Sequence, residues 1–237
     1  MTLADILNRR PAKSIDDVVS MMTDIATTLP DDDGLKWFNH LYVQVTLGVR
    51  AVVGDGKAFR DPAFLSKLDV VFANLFFDAV AAGQDDPSKA PPAWRPLLQS
   101  RHARGLTRLQ WALTGINAHI NRDLPVALVK SYEALGGNPS LTDARHADYE
   151  QVNTILEQVE AKVKADFLSG VLRDVDMVAG NLDDLAATFK IRVARDAAWT
   201  HAQVLWSLRN TPPLYAAFLD SLDRLTGFAG RGLIVRV

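Results

Sequence analysis

The sequence predicts an all-α fold: one domain over residues 1–237, arranged as an orthogonal or irregular bundle of about eight to ten helices with no significant sheet. Three observations carry this. Apolar residues recur at three- and four-residue spacing along most of the chain, and capping residues open those runs while Gly or Pro closes them. No alternating strand series, fixed-period repeat or long heptad run competes with that pattern. With 48% hydrophobic residues in 237, the chain can bury a substantial core.

Taken in order, a short N-terminal helix precedes Ser14 and Asp17, which form a capping box for a helix over 15–28 that carries Val18, Met21, Met22 and Ile25 inward and stops at Pro30. The acidic run Asp31-Asp32-Asp33-Gly34 caps the next helix, whose stripe of Trp37, Phe38, Leu41, Tyr42, Val45, Val49 and Val52 ends at Gly54-Asp55-Gly56. Asp61-Pro62 opens a helix to Gly83 that buries Phe64, Leu65, Leu68, Phe72 and Phe76. Asp69 sits at the edge of this stripe, where an interhelical salt bridge or a cap to a neighbour is its expected use. Residues 84–92 read as a polar spacer, and Trp94, Leu97 and Leu98 as a short helix.

After the basic cluster Arg101, Arg104 and Arg108, a solvated face or a candidate anion site, a helix through Leu113 and Ile116 runs to a kink or restart near Arg122 to Asp123, because Pro125 has no amide hydrogen. It resumes until Gly136-Gly137. Thr142-Asp143 caps a long helix with Tyr149, Val152, Leu156 and Phe167, and a helix near 171–179 follows. Asn181 then caps another, carrying Phe189, Trp199 and Trp206. Residues 214–225 form the last helix, stopped at Gly227, and residues 230–237 are expected to be an extended tail lying on the body.

Composition excludes several functions. The formal charge of -2, from 26 Lys plus Arg against 28 Asp plus Glu, offers no reason to bind nucleic acid or an acidic membrane. The absence of Cys rules out disulfides and thiolate chemistry. Residues 1–10 lack a signal-peptide pattern, and no run of about eighteen apolar residues could span a bilayer. A soluble, cytoplasmic monomer or homodimer is expected. There is no glycine-rich phosphate loop or dinucleotide fingerprint, so no cofactor is expected.

The candidate site is Gly115-Ile116-Asn117-Ala118-His119-Ile120-Asn121-Arg122-Asp123-Leu124-Pro125, which puts two Asn, a His and an Asp into an otherwise core-facing helix. Burying such groups costs several kcal/mol unless each has a partner. His119 and Asp123, four apart, project from one margin of the apolar arc, and Asn117 and Asn121 from the other. Three readings are open. Asp123 can orient His119 as a general acid or base, with the Asn amides holding substrate. His119 and Asp123 can be two ligands of a divalent metal, with Asp69 or His40 completing the set, as in a metal-dependent hydrolase. Or the cluster can satisfy backbone groups around the Pro125 kink.

The same stretch, continued through Val126-Ala127-Leu128, resembles the signature of an uncharacterised family of bacterial helical proteins, a domain of unknown function common in actinobacteria. Residues 38–46, Leu68 to Ala73, Pro92-Ala93-Trp94, Asp148 to Asn153 and Ala197 to Trp206 resemble its other blocks. The resemblance implies that Asn117, His119, Asn121 and Asp123 belong to the family motif, with Asp69 and Trp199 as supports. By analogy it suggests a cyclase or tailoring enzyme of biosynthesis.

The resulting expectation is a cofactor-independent lyase, isomerase or cyclase acting on a mainly apolar small molecule. His119 and Asp123 are its catalytic pair, and Asn117, Asn121, Asp69, Tyr42, Phe76 and Trp199 contact the substrate. A non-catalytic ligand-binding or structural protein is the alternative from another class.

Overall fold

In a computed structural model, residues 1–54, 59–156 and 191–235 are described, and among them there are helices and no strand. The element that positions everything else is a rod built from α6 (Arg108–Ala118), a π-helical turn (His119–Asp123) and α7 (Leu124–Leu135). Residues 110–120 are buried without interruption, as are residues 123–129. A helix apolar or enclosed on every side must lie inside the molecule rather than on its surface.

The others wrap this rod. Along its first half lie α3 (Gly34–Gly54) and the C-terminal helix α10 (Pro212–Leu233), and along its second half α4 (Pro62–Gly83) and α9 (Ile191–Leu208). Further out, α1 (Leu3–Leu7) and α2 (Ile15–Thr28) close over α3 and α4, and α5 (Arg95–Ser100) fills the end between α3, α6 and α10. A helix over 144–156, α8, places Tyr149 against Trp199 of α9 at 4.9 Å between ring centroids.

Local chemistry accounts for the boundaries. Ser14 and Asp17 form the reciprocal capping box that their spacing predicts, Thr107 and Gln110 form another, and Asp61 caps Phe64 ahead of Pro62. Asp33 accepts from the Leu35 amide at 3.0 Å and is also paired with Arg101. That pairing removes Arg101 from any anion site. Arg108 lies over the Trp37 ring at 4.1 Å and Arg104 is exposed, so the basic cluster does not assemble.

One expectation is met and one is corrected. The helix restarts ahead of Pro125: α6 ends at Ala118, the π-turn shifts the hydrogen-bond register with Leu124 N–H donating to the His119 carbonyl, and Pro125 falls in the first turn of α7, where its missing N–H costs nothing. At the C-terminus the described residues form no extended tail: α10 continues through Gly227 and Gly230 to Leu233. Those glycines face inward, and a Cβ at Gly227 would strike the Pro92 carbonyl oxygen, while one at Gly230 would stand 3.2 Å from Pro96 Cγ. Close helix docking outweighs their weak helix propensity. The chain end is held by Gln110 Nε2, which donates to the Leu233 and Val235 carbonyls at 3.2 and 2.8 Å. The expected elements at 55–58, 171–179 and the start of the helix after Asn181 lie outside the described residues.

Gly227→Ala must push α10 away from the Pro92 backbone and is expected to lower stability by about 2 kcal/mol, in the range for overpacking. Gly232, in the same helix with nothing within 4 Å of a Cβ, is the control. Its Ala variant should be as stable as the parent or more so, by up to about 1 kcal/mol. Urea unfolding measures both, and equal midpoints would mean that α10 does not rest on Pro92.

Candidate functional site

The π-turn puts His119 and Asp123 in contact: Nδ1 lies 3.0 Å from Asp123 Oδ2. Asp123 is fully buried and serves two further donors. Trp94 Nε1 donates to Oδ2 at 2.9 Å and Arg122 Nη1 to Oδ1 at 2.8 Å. Arg122 also reaches Asp223 of α10 at 3.2 Å, and Asp223 accepts from the Ala93 amide at 2.8 Å. One carboxylate thus joins the π-turn to the segment before α5, and its neighbour joins both to α10.

Because Asp123 accepts from two other donors, the bond to the imidazole is assigned as Nδ1–H donating. His119 Nε2 is then the lone-pair nitrogen. Burial holds the imidazole below its ordinary pKa, opposed by the hydrogen bond and charge of Asp123. The neutral tautomer is therefore the resting form.

Around this ring stand aromatic side chains from α3, α4 and the segment before α5. Phe72 stacks on it with centroids 3.4 Å apart and planes 5° from parallel. Tyr42 meets it edge-on at 4.5 Å, with Phe38 at 5.6 Å, Trp94 at 5.8 Å and Phe76 at 6.2 Å. Gly115 makes the room, since a Cβ there would overlap the Phe38 ring. Phe72 is half-buried while the other four rings are buried, so it stands between His119 and the surface.

Among the buried polar atoms without a hydrogen-bond partner are His119 Nε2 in the rod, Tyr42 OH on α3 and Asp69 Oδ2 on α4; the others among the described residues are Asn39 Oδ1, Trp199 Nε1 and His201 Nδ1. Tyr42 links the first three. Its ring packs against both His119 and Phe72, the latter at 5.7 Å. Burial, then the charges of Asp69 and Asp123, raise its phenol well above the usual value. Asp69, one helical turn before Phe72, has no salt bridge or cap, contrary to the expectation for it, and burial raises its carboxyl to about 7. Among the described residues no cation or donor is paired with it.

Of the residues the sequence singles out, His119, Asp123, Asp69, Tyr42 and Phe76 come together. Asn117 and Asn121 do not join them. Asn117 Nδ2 donates to the Thr226 carbonyl of α10 at 2.9 Å, and Asn121 Nδ2 donates to Asn117 Oδ1 at 3.0 Å, so this pair fastens α10 to the rod. Trp199 belongs to a second aromatic group, 4.6 Å from His146 and 6.2 Å from Tyr132. His40 lies beside Trp37 at 6.2 Å. Among the described residues, no three His, Asp or Glu side chains gather where one metal ion could be held.

Sequence reasoning missed Trp94 and Arg122 as partners of Asp123, and Asp223 behind them. The available signal was an Arg set beside an Asp within an otherwise buried stretch, since a buried carboxylate needs donors. Nothing local points to Trp94 or Asp223, which arrive from other helices.

Residues 15–236 match a family described as a family of unknown function (DUF5995). No curated protein and no solved structure matches the chain. No helix among the described residues is long and apolar enough to cross a membrane.

The two shifted groups act on stability in opposite directions. Between its unfolded value of 3.8 and about 7, the folded chain keeps a proton on Asp69 that the unfolded chain has lost, so this group lowers stability as pH rises through that window. His119, with a lowered pKa, lowers stability as pH falls below its unfolded value of 6.5. Comparing Asp69→Asn with the parent cancels the His119 contribution. The stability difference is expected to grow in the variant's favour from about pH 5 to about pH 7 and then level off. Urea unfolding across that range tests it, and a difference independent of pH would mean that Asp69 is ionised and paired.

Proposed function

We propose that this chain, which belongs to that family of unknown function, is a cofactor-independent acid–base enzyme acting on a mainly apolar small molecule. His119 Nε2 is the base, Asp123 the positioning residue that holds its tautomer, and Tyr42 and Asp69, rather than Asn117 and Asn121, face the polar atoms of the substrate. Isomerisation, dehydration or cyclisation in a biosynthetic sequence suits such a site, in a cytoplasmic monomer or homodimer.

The observation that carries this reading is the group of three buried polar atoms without partners around one imidazole. Leaving a buried donor or acceptor unpaired costs about 1–3 kcal/mol. Asp123, Arg122 and Asn117, a turn or less along the rod, are by contrast matched to partners. Three unmatched groups on one side of a π-turn, an element frequent at functional sites, are what a ligand would satisfy. Among uncharged aromatic rings, a proton taken by Nε2 is stabilised by Asp123 through Nδ1, while Arg122 keeps Asp123 from being left as a lone buried charge.

The site is closed at rest, with His119 3% and Tyr42 4% exposed. Phe72, half-buried and stacked on the imidazole, is the ring whose rotation would uncover it.

The test is to incubate the protein and His119→Gln with an extract of apolar metabolites from the source cells and compare the products by mass spectrometry. At least one compound should be transformed by the parent and its conversion slowed by about 100-fold or more in the variant, the scale of a lost general base, with the melting temperature monitored in parallel. If the parent transforms nothing, or the variant matches it, the cluster is a structural brace or a carrier site.

A further inference from the structure

Resting on the acid–base reading above, we infer that the substrate is a neutral, apolar ketone, whose carbonyl oxygen is received by the Tyr42 hydroxyl and the Asp69 carboxyl while His119 Nε2 removes an adjacent C–H proton, and that the reaction is an isomerisation through the enol.

The argument starts from the chemistry of the three unpartnered atoms. Nε2 of the Nδ1–H tautomer is an acceptor only. Tyr42 OH is held in its protonated form, chiefly by burial, so it is a donor. Asp69, whose carboxyl is raised to about 7 by burial, carries a proton over much of the neutral range and offers a second O–H. One acceptor and two donors beside apolar rings are complementary to a carbonyl group with an acidic neighbour. They are not complementary to an anion, since among the described residues no Lys or Arg acts on the three groups: Arg122 is already shared between Asp123 and Asp223. Phe38, Phe72, Phe76 and Trp94 form the rest of the enclosure and suit a hydrocarbon skeleton.

The step balances without any further reagent. Nε2 forms a bond to the proton of the carbon beside the carbonyl, and the C–H electron pair becomes a carbon–carbon double bond. The carbonyl π pair moves onto oxygen, where hydrogen bonds from Tyr42 and Asp69 strengthen as charge develops. The imidazolium, stabilised by Asp123, then returns the same proton to the far carbon of a conjugated dienol system. A β,γ-unsaturated ketone becomes its α,β-unsaturated isomer, and no oxidant, reductant or water is consumed. A neutral carboxylic acid and a phenol acting together on an enolate oxygen is a known solution to this problem in an apolar site.

β-Naphthol, which presents an ionisable hydroxyl on an apolar ring system as an enolate does, is the binding probe, followed by its fluorescence. The β,γ-unsaturated cyclohexenone is the reaction probe, followed by the absorbance of the conjugated product. The parent should bind β-naphthol, and Tyr42→Phe and Asp69→Ala should each weaken binding by about tenfold or more, the scale of one lost hydrogen bond in a buried site. Tyr42→Phe removes only an unpartnered hydroxyl and is expected to melt at or above the parent temperature, so it decides the matter alone if Asp69→Ala does not fold. Conversion of the cyclohexenone should be seen in the parent and lost in His119→Gln.

No binding of β-naphthol by the parent, or equal binding by parent and Tyr42→Phe, would overturn the ketone assignment, as would failure of the parent to convert the cyclohexenone. The broader reading fails on a different result, the absence of any His119-dependent change in the metabolite extract. A His119-dependent product differing in mass from its substrate would keep that reading and sink this one.

Discussion

The structure depends on one buried carboxylate. Asp123 closes the only π-helical turn among the described residues and accepts from Trp94, His119 and Arg122. A charge this far from solvent is tolerated only when its lone pairs are taken up. Taking them up recruits the segment before α5 through Trp94, and α10 through Arg122 and Asp223. Elements far apart in sequence are thereby fixed relative to the rod by the need to satisfy a single residue.

Pro125 and Asp123 act on the same few residues. The proline lacks the N–H that a continuous α-helix would require, and the turn ahead of it widens into π geometry. The widened turn still brings His119 and Asp123 within hydrogen-bond distance across four residues. A feature that sequence rules treat as a helix breaker becomes the device that holds a His–Asp pair inside a core, flanked by helix on both sides.

The rod also divides the polar groups into two populations. On the side toward α10, Asn117, Asn121, Arg122 and Asp223 are matched to partners and hold the helix in place. On the side toward α3 and α4, His119 Nε2, Tyr42 OH and Asp69 Oδ2 are unmatched. The aromatic layer explains both the neutral imidazole and the raised carboxyl: burial strips hydration from each charged form, outweighing the charge of Asp123 at the imidazole and unopposed at Asp69. That asymmetry, rather than the mere presence of His and Asp, is the ground for proposing a site here and not a brace.

The sequence by itself determined the helices and the residues at the site's centre. Capping pairs such as Ser14 with Asp17, the Asp61-Pro62 start and the three- and four-residue apolar spacing act over a single turn, so they are readable without knowing what surrounds them. A His and an Asp placed four apart in a buried stretch are equally local. Only the tertiary structure decided what each polar group does. The Asn117 amide is spent on the Thr226 carbonyl, Asp69 is left without the ion pair its position at a stripe's edge suggests, and Trp94 supplies the hydrogen bond to Asp123. It also decided that Gly227 and Gly230 continue a helix instead of ending one, because Pro92 and Pro96 lie against them. The physical reason is common to all of these. Propensity and capping depend on neighbours along the chain, whereas the partner of a buried polar atom, or the backbone that crowds a glycine, comes from a segment tens of residues away.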